Sequence, residues 1–158
     1  MVGAPLFFVK EMYYMYKKTI KYTDYNGVER EEDFYFHLNK AEIIEMEASE
    51  AGGYADMLRR IVMSHDGPTI MKNFKIFILK SFGEKSPDGK YFDKSDEISR
   101  RFEHTEAYSV LFTELCTDAD KAIDFINNIL PFDKEQSEKF KKDAKDRVSQ
   151  LPVSVNNS

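Results

Sequence analysis

The chain has 158 residues, which suffice for one domain whose folding removes roughly 68–70% of the unfolded surface from water. Its 23 basic and 28 acidic residues leave a net charge of −5, so no electrostatic case exists for wrapping nucleic acid. Hydrophobic residues at 42% against 32% charged residues exclude a wholly disordered chain. The single Cys116 excludes an intrachain disulfide framework and suits a reducing cytosol.

The first residues contain a short apolar run at 4–9. The run is too short to span a bilayer, and it lacks the basic start and the small-residue cleavage site of a signal peptide. We therefore expect neither a membrane segment nor an export signal. Residues 1–14 fit no element well, so we expect an N-terminal extension that is not native, with the natural start at Met15. The alternative is an ordered N-terminal strand that pairs with the sheet.

Residues 17–38 alternate with a period near two, which is typical of β-strands. Asn26-Gly27 lies between two β-rich runs and predicts a hairpin with a type I′ turn, because both residues tolerate positive φ. We expect the apolar side chains to share one face of the hairpin: Ile20, Tyr22, Phe34 and Phe36. Because a two-stranded hairpin is marginal alone, helices must cover that face.

The period changes to that of a helix after Leu38. Asn39 followed by Glu42 fits a capping box at the start of a helix over 40–48. A second short helix is predicted over 54–63. Another begins at Pro68, a residue well suited to a first helical position.

The helix predicted over 68–82 is the most apolar in the chain. Its main stripe has spacings of three and four residues and consists of Ile70, Met71, Phe74, Phe77, Ile78 and Phe82. Ile76 and Leu79 lie away from that stripe. A helix that is apolar on more than one face is either central to a core, which we favour, or covered by a partner. Ile76 and Leu79 are therefore our candidate protein-binding residues.

Turn formers fill residues 83–93 and predict a loop with a tight corner at 86–89. Three further helices follow, with caps predicted at Ser95, at Thr105 and at Thr117 together with Asp120. Pro131 ends the last of these helices. Residues 133–147 are so rich in charge that we expect a charged peripheral helix and then a disordered tail within 132–158.

These elements predict an α+β fold, a mainly α-helical domain with an N-terminal antiparallel β-hairpin. We expect a single globular domain over 15–131. The hairpin is expected to pack onto the helices of 40–63 and 68–82.

No catalytic, cofactor-binding or metal site is predicted. Gly83 and Gly89-Lys90 resemble a phosphate loop, but their spacing is wrong and Tyr91 replaces the required hydroxyl residue. Residues 24–33 match only part of a calcium loop, between strands. Cys116 is most simply a small core residue. The three histidines lie on separate elements without ligand spacing: His37, His65 and His104.

Several blocks of sequence resemble the tail assembly chaperones of long-tailed bacteriophages and prophages. The resemblance extends from about residue 15 to residue 131 and consists of family blocks with no catalytic signature. In chain order the blocks are TIKYTDYNGVER at 19–30, EDFYF at 32–36, LKSFGEKSPDGK at 79–90, KSDE at 94–97, TEAYS at 105–109 and DADKA at 118–122. The extension before Met15 and the short charged C-terminus depart from the family pattern.

The resemblance implies a non-catalytic assembly factor. Such proteins bind the tape measure protein in the host cytoplasm, keep it soluble, and are displaced as tail tube protein polymerises around it. They are typically absent from the finished virion. The resemblance also implies a longer form made by ribosomal frameshifting. An apolar stripe left open on the helix of 68–82 would favour self-association, so we also expect a homo-oligomer. The charge balance and the lack of a long apolar run exclude nucleic acid and a membrane as expected partners.

Two other classes stay open at this point. The chain could be a structural tail or head–tail component that is retained in the virion. It could also be a small enzyme or regulator, although the sequence shows no convergent polar constellation on its predicted loops.

Overall fold

The computed structural model describes residues 15–49, residues 67–130 and, as helical positions, residues 135, 138, 139, 141, 142, 145 and 146. The predicted helix over 54–63 and the predicted extension over 1–14 lie outside the described residues. Within them the predicted α+β class is confirmed. In chain order the elements are β1 (Tyr16–Thr23), β2 (Glu29–Phe36), α1 (Lys40–Ser49), α2 (Gly67–Ser81), β3 (Phe82–Lys85), β4 (Phe92–Asp93), α3 (Asp96–Glu103), α4 (Glu106–Thr117) and α5 (Ala119–Ile129).

Strands β1 and β2 form the predicted hairpin. They pair antiparallel from Tyr16 opposite Phe36 to Thr23 opposite Glu29. Alternate side chains point to the helices, so that Ile20 and Phe36 are buried, while the outward positions carry Lys, Thr, Glu, Asp and one aromatic residue, Tyr35. Tyr22 and Phe34 are half-buried and pack against the same core, as the period-two pattern predicted.

The turn of this hairpin differs from the prediction. Gly27 has a φ of +80°, but Asn26 does not have a positive φ, so the turn is not of type I′. The Asp24 N–H donates to the Val28 carbonyl, and the Gly27 N–H donates to the Asp24 carbonyl. This is the three-residue loop that ends in a left-handed glycine. The Asp24 side chain favours it, since Oδ1 accepts from the N–H groups of Asn26 and Val28, both at 2.9 Å.

The predicted loop over 83–93 contains two short strands. They extend the antiparallel sheet to the order β1-β2-β3-β4. Phe82, predicted as the end of a helix, is the first residue of β3 and lies opposite Phe36. The corner at 86–89 is confirmed, because Gly89 has a φ of +77° and its N–H donates to the Ser86 carbonyl. Strands of four and two residues are too short to show a period in the sequence.

Aromatic rings from remote parts of the chain form the core. Phe36 contacts Phe125 with ring centroids 5.2 Å apart, and Phe82 stacks on Phe102 at 4.0 Å. Strand β1 lies along α4, so within the described residues the main cover of the hairpin is α4 and not the predicted α1 or α2. The part of that prediction that concerns residues 50–63 lies outside the described residues. Helix α2 contributes buried side chains to the same core cluster, among them Phe77.

The helix starts largely follow the predicted caps. Asn39 and Glu42 form a reciprocal capping box, in which each side chain accepts from the other's N–H. Ser95 caps α3, and Thr105 caps α4.

The third cap is Asp118 and not Thr117. The Asp118 carboxylate accepts from the Lys121 N–H, while Thr117 is still helical and its hydroxyl donates back to the Thr113 carbonyl at 2.7 Å. A second correction concerns Cys116, which was predicted in the core. It is exposed, because the side of α4 that faces the core is the side that carries Leu111 and Leu115.

Candidate client-binding surface

Helix α2 carries both predicted binding residues and also supplies much of the core. Phe74, Phe77 and Ile78 are buried, which confirms the central part of the predicted stripe. Met71 belongs to the same predicted stripe but is 43% exposed. The helix therefore presents apolar side chains both inward and toward its open side.

The structure places Ile76 and Leu79 on the flank of α2 away from its most buried residues, both half-buried. Leu79 packs against the core cluster, and its carbonyl accepts a hydrogen bond from the Ser99 hydroxyl of α3 at 3.0 Å. Ile76 lies outside that cluster. The two residues therefore differ in their surroundings. Leu79 packs against the core beside α3, whereas Ile76 is not part of the core cluster.

Lysines surround this pair. Lys72, Lys75 and Lys80 are exposed on α2, and the helix contains no Asp or Glu. The Lys75 ammonium forms an ion pair with Glu103 at 2.6 Å. Within the described residues, the other two lysines form none.

A cleft of about 390 Å³ lies beside the C-terminal end of α2, where α1 approaches it. Its lining combines the buried Leu38 and Met46 with the charged side chains of Glu42, Glu45 and Lys80. Such a volume accommodates one or two apolar side chains of a partner and not a whole helix. Ile76 lies one helical turn before Lys80, so the cleft and the outer face of α2 adjoin.

A partly buried polar cluster holds the start of α1 against the residue that follows β4. The Lys94 ammonium donates to the His37 carbonyl and to Glu42 Oε2, both at 2.6 Å. Burial lowers the pKa of Lys94, which the charge of Glu42 partly opposes. Burial and the nearby Lys94 charge lower the pKa of His37. These groups satisfy one another, so the cluster is a structural clamp between segments that are 52 residues apart.

Other polar groups offer little chemistry. Within the described ranges, no three His, Cys, Asp or Glu side chains are grouped so as to hold a metal ion. Although Cys116 is exposed, neighbouring atoms shield its thiol from part of the solvent and raise its pKa, which is the opposite of what an activated nucleophile requires. No helix in those ranges has the length and apolar character needed to cross a membrane.

Sequence reasoning missed an apolar tip on the hairpin. Tyr25 is 74% exposed and Val28 is 52% exposed, and the Tyr25 hydroxyl donates to the His104 carbonyl at 3.2 Å. Among the residues that the structure describes, the other exposed large apolar side chains are scattered over separate elements: Ile44 on α1, Met71 on α2, Tyr91 before β4 and Val110 on α4. Exposure of a turn residue leaves no periodic signal in the sequence, so only the structure shows it.

A family model described as phage tail assembly chaperone matches residues 15–156. The chain belongs to this family. Comparison with curated proteins finds no match, and neither does comparison with solved structures. The match confirms the resemblance that the sequence blocks showed. For this tail assembly chaperone, protein binding at Ile76 and Leu79 stays a prediction.

Proposed function

We propose that this tail assembly chaperone binds the tape measure protein of its phage and keeps it soluble without catalysis. Binding takes place in the host cytoplasm, and the chaperone leaves as tail tube protein assembles around the tape measure, so that it is absent from the mature virion. Family membership supports a role in tail assembly. The proposal adds to that role the identity of the client and the surface that binds it.

The observation that supports a client site is the two-sided character of α2. The helix buries Phe74, Phe77 and Ile78, yet Ile76 lies partly open on another side. Apolar residues outside the core-facing stripe are typical of a surface that binds an amphipathic helix of a client. The flexible side chain of Met71, 43% exposed, adds an adaptable contact.

The test is to introduce Ile76→Glu and Leu79→Glu separately and to co-express each variant with the tape measure protein. Ile76→Glu is expected to fold normally and to lose most of the co-purified, soluble tape measure protein. The matched control is Ile44→Glu, because Ile44 is an isoleucine on α1 that is 68% exposed. The control is expected to retain capture.

Circular dichroism melting separates folding from binding. Because Leu79 packs against the core, Leu79→Glu is expected to lower the melting midpoint, and its binding result is interpreted only where the variant folds. A folded Ile76→Glu variant with undiminished capture would contradict the proposed site. A wild-type protein that never captures the tape measure would contradict the proposed client.

Purified phage particles test whether the chaperone is absent from the mature virion. Mass spectrometry is expected to find this chain absent or far below the level of tail tube protein. A stoichiometric amount would instead support the structural alternative, a tail or head–tail component that stays in the particle. Co-purification also tests contacts with the tube protein, with other copies of the chain and with a frameshifted longer form.

A further inference from the structure

The charges of α2 all have one sign although the whole chain is acidic. The net charge of the protein is −5, whereas residues 67–101 contain eight Lys and Arg against five Asp and Glu. Helix α2 contributes Lys72, Lys75 and Lys80 and no acidic residue. On α2 itself, the charged neighbours of the proposed client residue Ile76 are therefore all basic, while Glu42 and Glu45 of α1 lie across the cleft from Lys80.

Two of these lysines are available to a partner. Lys75 is neutralised by Glu103 at 2.6 Å, whereas Lys72 and Lys80 have no ion pair within the part of the chain that the structure describes. Residues 72, 76 and 80 follow one another at spacings of four and so form one line along the helix surface. This line presents an ammonium, an apolar side chain and a second ammonium.

We propose that the segment bound at this line is an amphipathic helix whose apolar ridge is flanked by Asp and Glu. The identity of the client as the tape measure protein rests on the proposed function above, but the chemistry of the bound segment follows from α2. Its apolar ridge contacts Ile76, and its carboxylates pair with Lys72 and Lys80. Because these pairs are exposed, they contribute more to selectivity and to the association rate than to affinity. An apolar residue between the two lysines favours a protein helix over a phosphate backbone.

The experiment reverses the charge of the two lysines in the full chain. Lys72→Glu, Lys80→Glu and the double variant are compared with Lys90→Glu, whose lysine is exposed in the 86–91 turn and has no ion pair in the described ranges. Binding to tape measure segments is measured across a salt series, because salt screens exposed charges over about 10 Å at 0.1 M. The double variant is expected to bind about tenfold more weakly at low salt. Added salt should strengthen its binding, whereas it weakens that of the wild type, because the reversed charges repel the carboxylates of the client. Lys90→Glu should bind as the wild type does.

A charge-swapped client makes the test specific. Replacing the flanking Asp and Glu of the bound segment by Lys is expected to weaken binding to the wild type and to restore it to the double variant. Equal capture by wild type and double variant, with the same salt dependence, would overturn this inference and leave the proposed client intact. A change in the sedimentation of the chaperone alone would overturn it as well, because α2 would then be a contact between copies.

Failure of the proposed client is distinguished by designed peptides. If wild type captures no tape measure segment, the proposed function fails. The inference is then tested with two amphipathic helical peptides that share an apolar ridge and differ only in acidic or basic flanks. Preference of the wild type for acidic flanks, lost in the double variant, would support the inference without the tape measure protein. Equal binding of both peptides would overturn it.

Discussion

At two places a single side chain determines the local backbone conformation, and that conformation differs from the one predicted from the sequence. At the hairpin turn, Asp24 accepts from two N–H groups and holds a loop in which only Gly27 needs a positive φ. At the start of α5, Asp118 takes the capping position that was predicted for Thr117. In both cases several residues could form the local motif, and the geometry of the neighbouring strands or helix selects one of them.

His37 predicts a pH dependence of stability. Burial lowers its pKa in the folded state below the ordinary 6.5. Between the unfolded pKa and the lower folded pKa, the unfolded chain binds more protons, so the free energy of unfolding falls as the pH decreases below about 6.5. Below the folded-state pKa the imidazole is protonated in both states, so His37 lowers the free energy of unfolding no further. Urea unfolding at about pH 7.5 and about pH 5.5 measures the difference, since imidazole titrates between these values.

The matched variant is His37→Gln, which cannot titrate. Its midpoint is expected to change less between the two pH values than that of the wild type, although its stability at the higher pH also reflects the altered packing on Phe92. An identical pH dependence in both proteins would show that His37 is not the responsible group.

The length of a strand or helix determines how well it can be predicted from the sequence. Strands of eight residues and helices of eight to fifteen residues show their period and their caps, so β1, β2 and the described helices were predicted nearly as found. Strands β3 and β4 were taken for a loop because they have four residues and two. They are held by pairing with β2 and with each other, which is a tertiary effect.

The cap of α5 yields a prediction about stability. Asp118→Ala removes the acceptor for the Lys121 N–H and is expected to lower the free energy of unfolding by about 1 kcal/mol. Thr117→Val keeps the shape of a residue whose hydroxyl only bonds back to its own helix, and the expected change is within about 0.5 kcal/mol. Urea unfolding measures both. A larger loss for Thr117→Val than for Asp118→Ala would restore the cap predicted from the sequence.

In the whole molecule, the core joins segments that are far apart in the chain. Phe36 of β2 contacts Phe102 of α3 and Phe125 of α5, and Phe77 of α2 also contacts Phe125. Periodicity identified the inward stripes of these elements, but not which helices would cover the hairpin. That choice depends on how all the stripes pack together at once.

Phe74 tests whether α2 is central to this core. It is 5% exposed, so Phe74→Ala is expected to destabilise the fold by roughly 3–5 kcal/mol, through lost apolar burial and the cavity that remains. The control is Tyr91→Ala, whose ring is 65% exposed and whose removal is expected to cost within about 0.5 kcal/mol. Thermal and urea unfolding measure both variants. An unchanged midpoint for Phe74→Ala would contradict the central position of α2.

The sequence by itself determined the α+β class, the first hairpin, most helix caps and, through its blocks, the family. These features depend on local period, on turn and cap chemistry and on shared sequence, all of which are present in the linear chain. Only the tertiary structure decided that β3 and β4 extend the sheet, that α4 lies along β1, and that Leu79 packs on the core while Ile76 lies outside it. Strand pairing and burial depend on residues distant in sequence, and a local pattern contains no information about which distant surface will cover it.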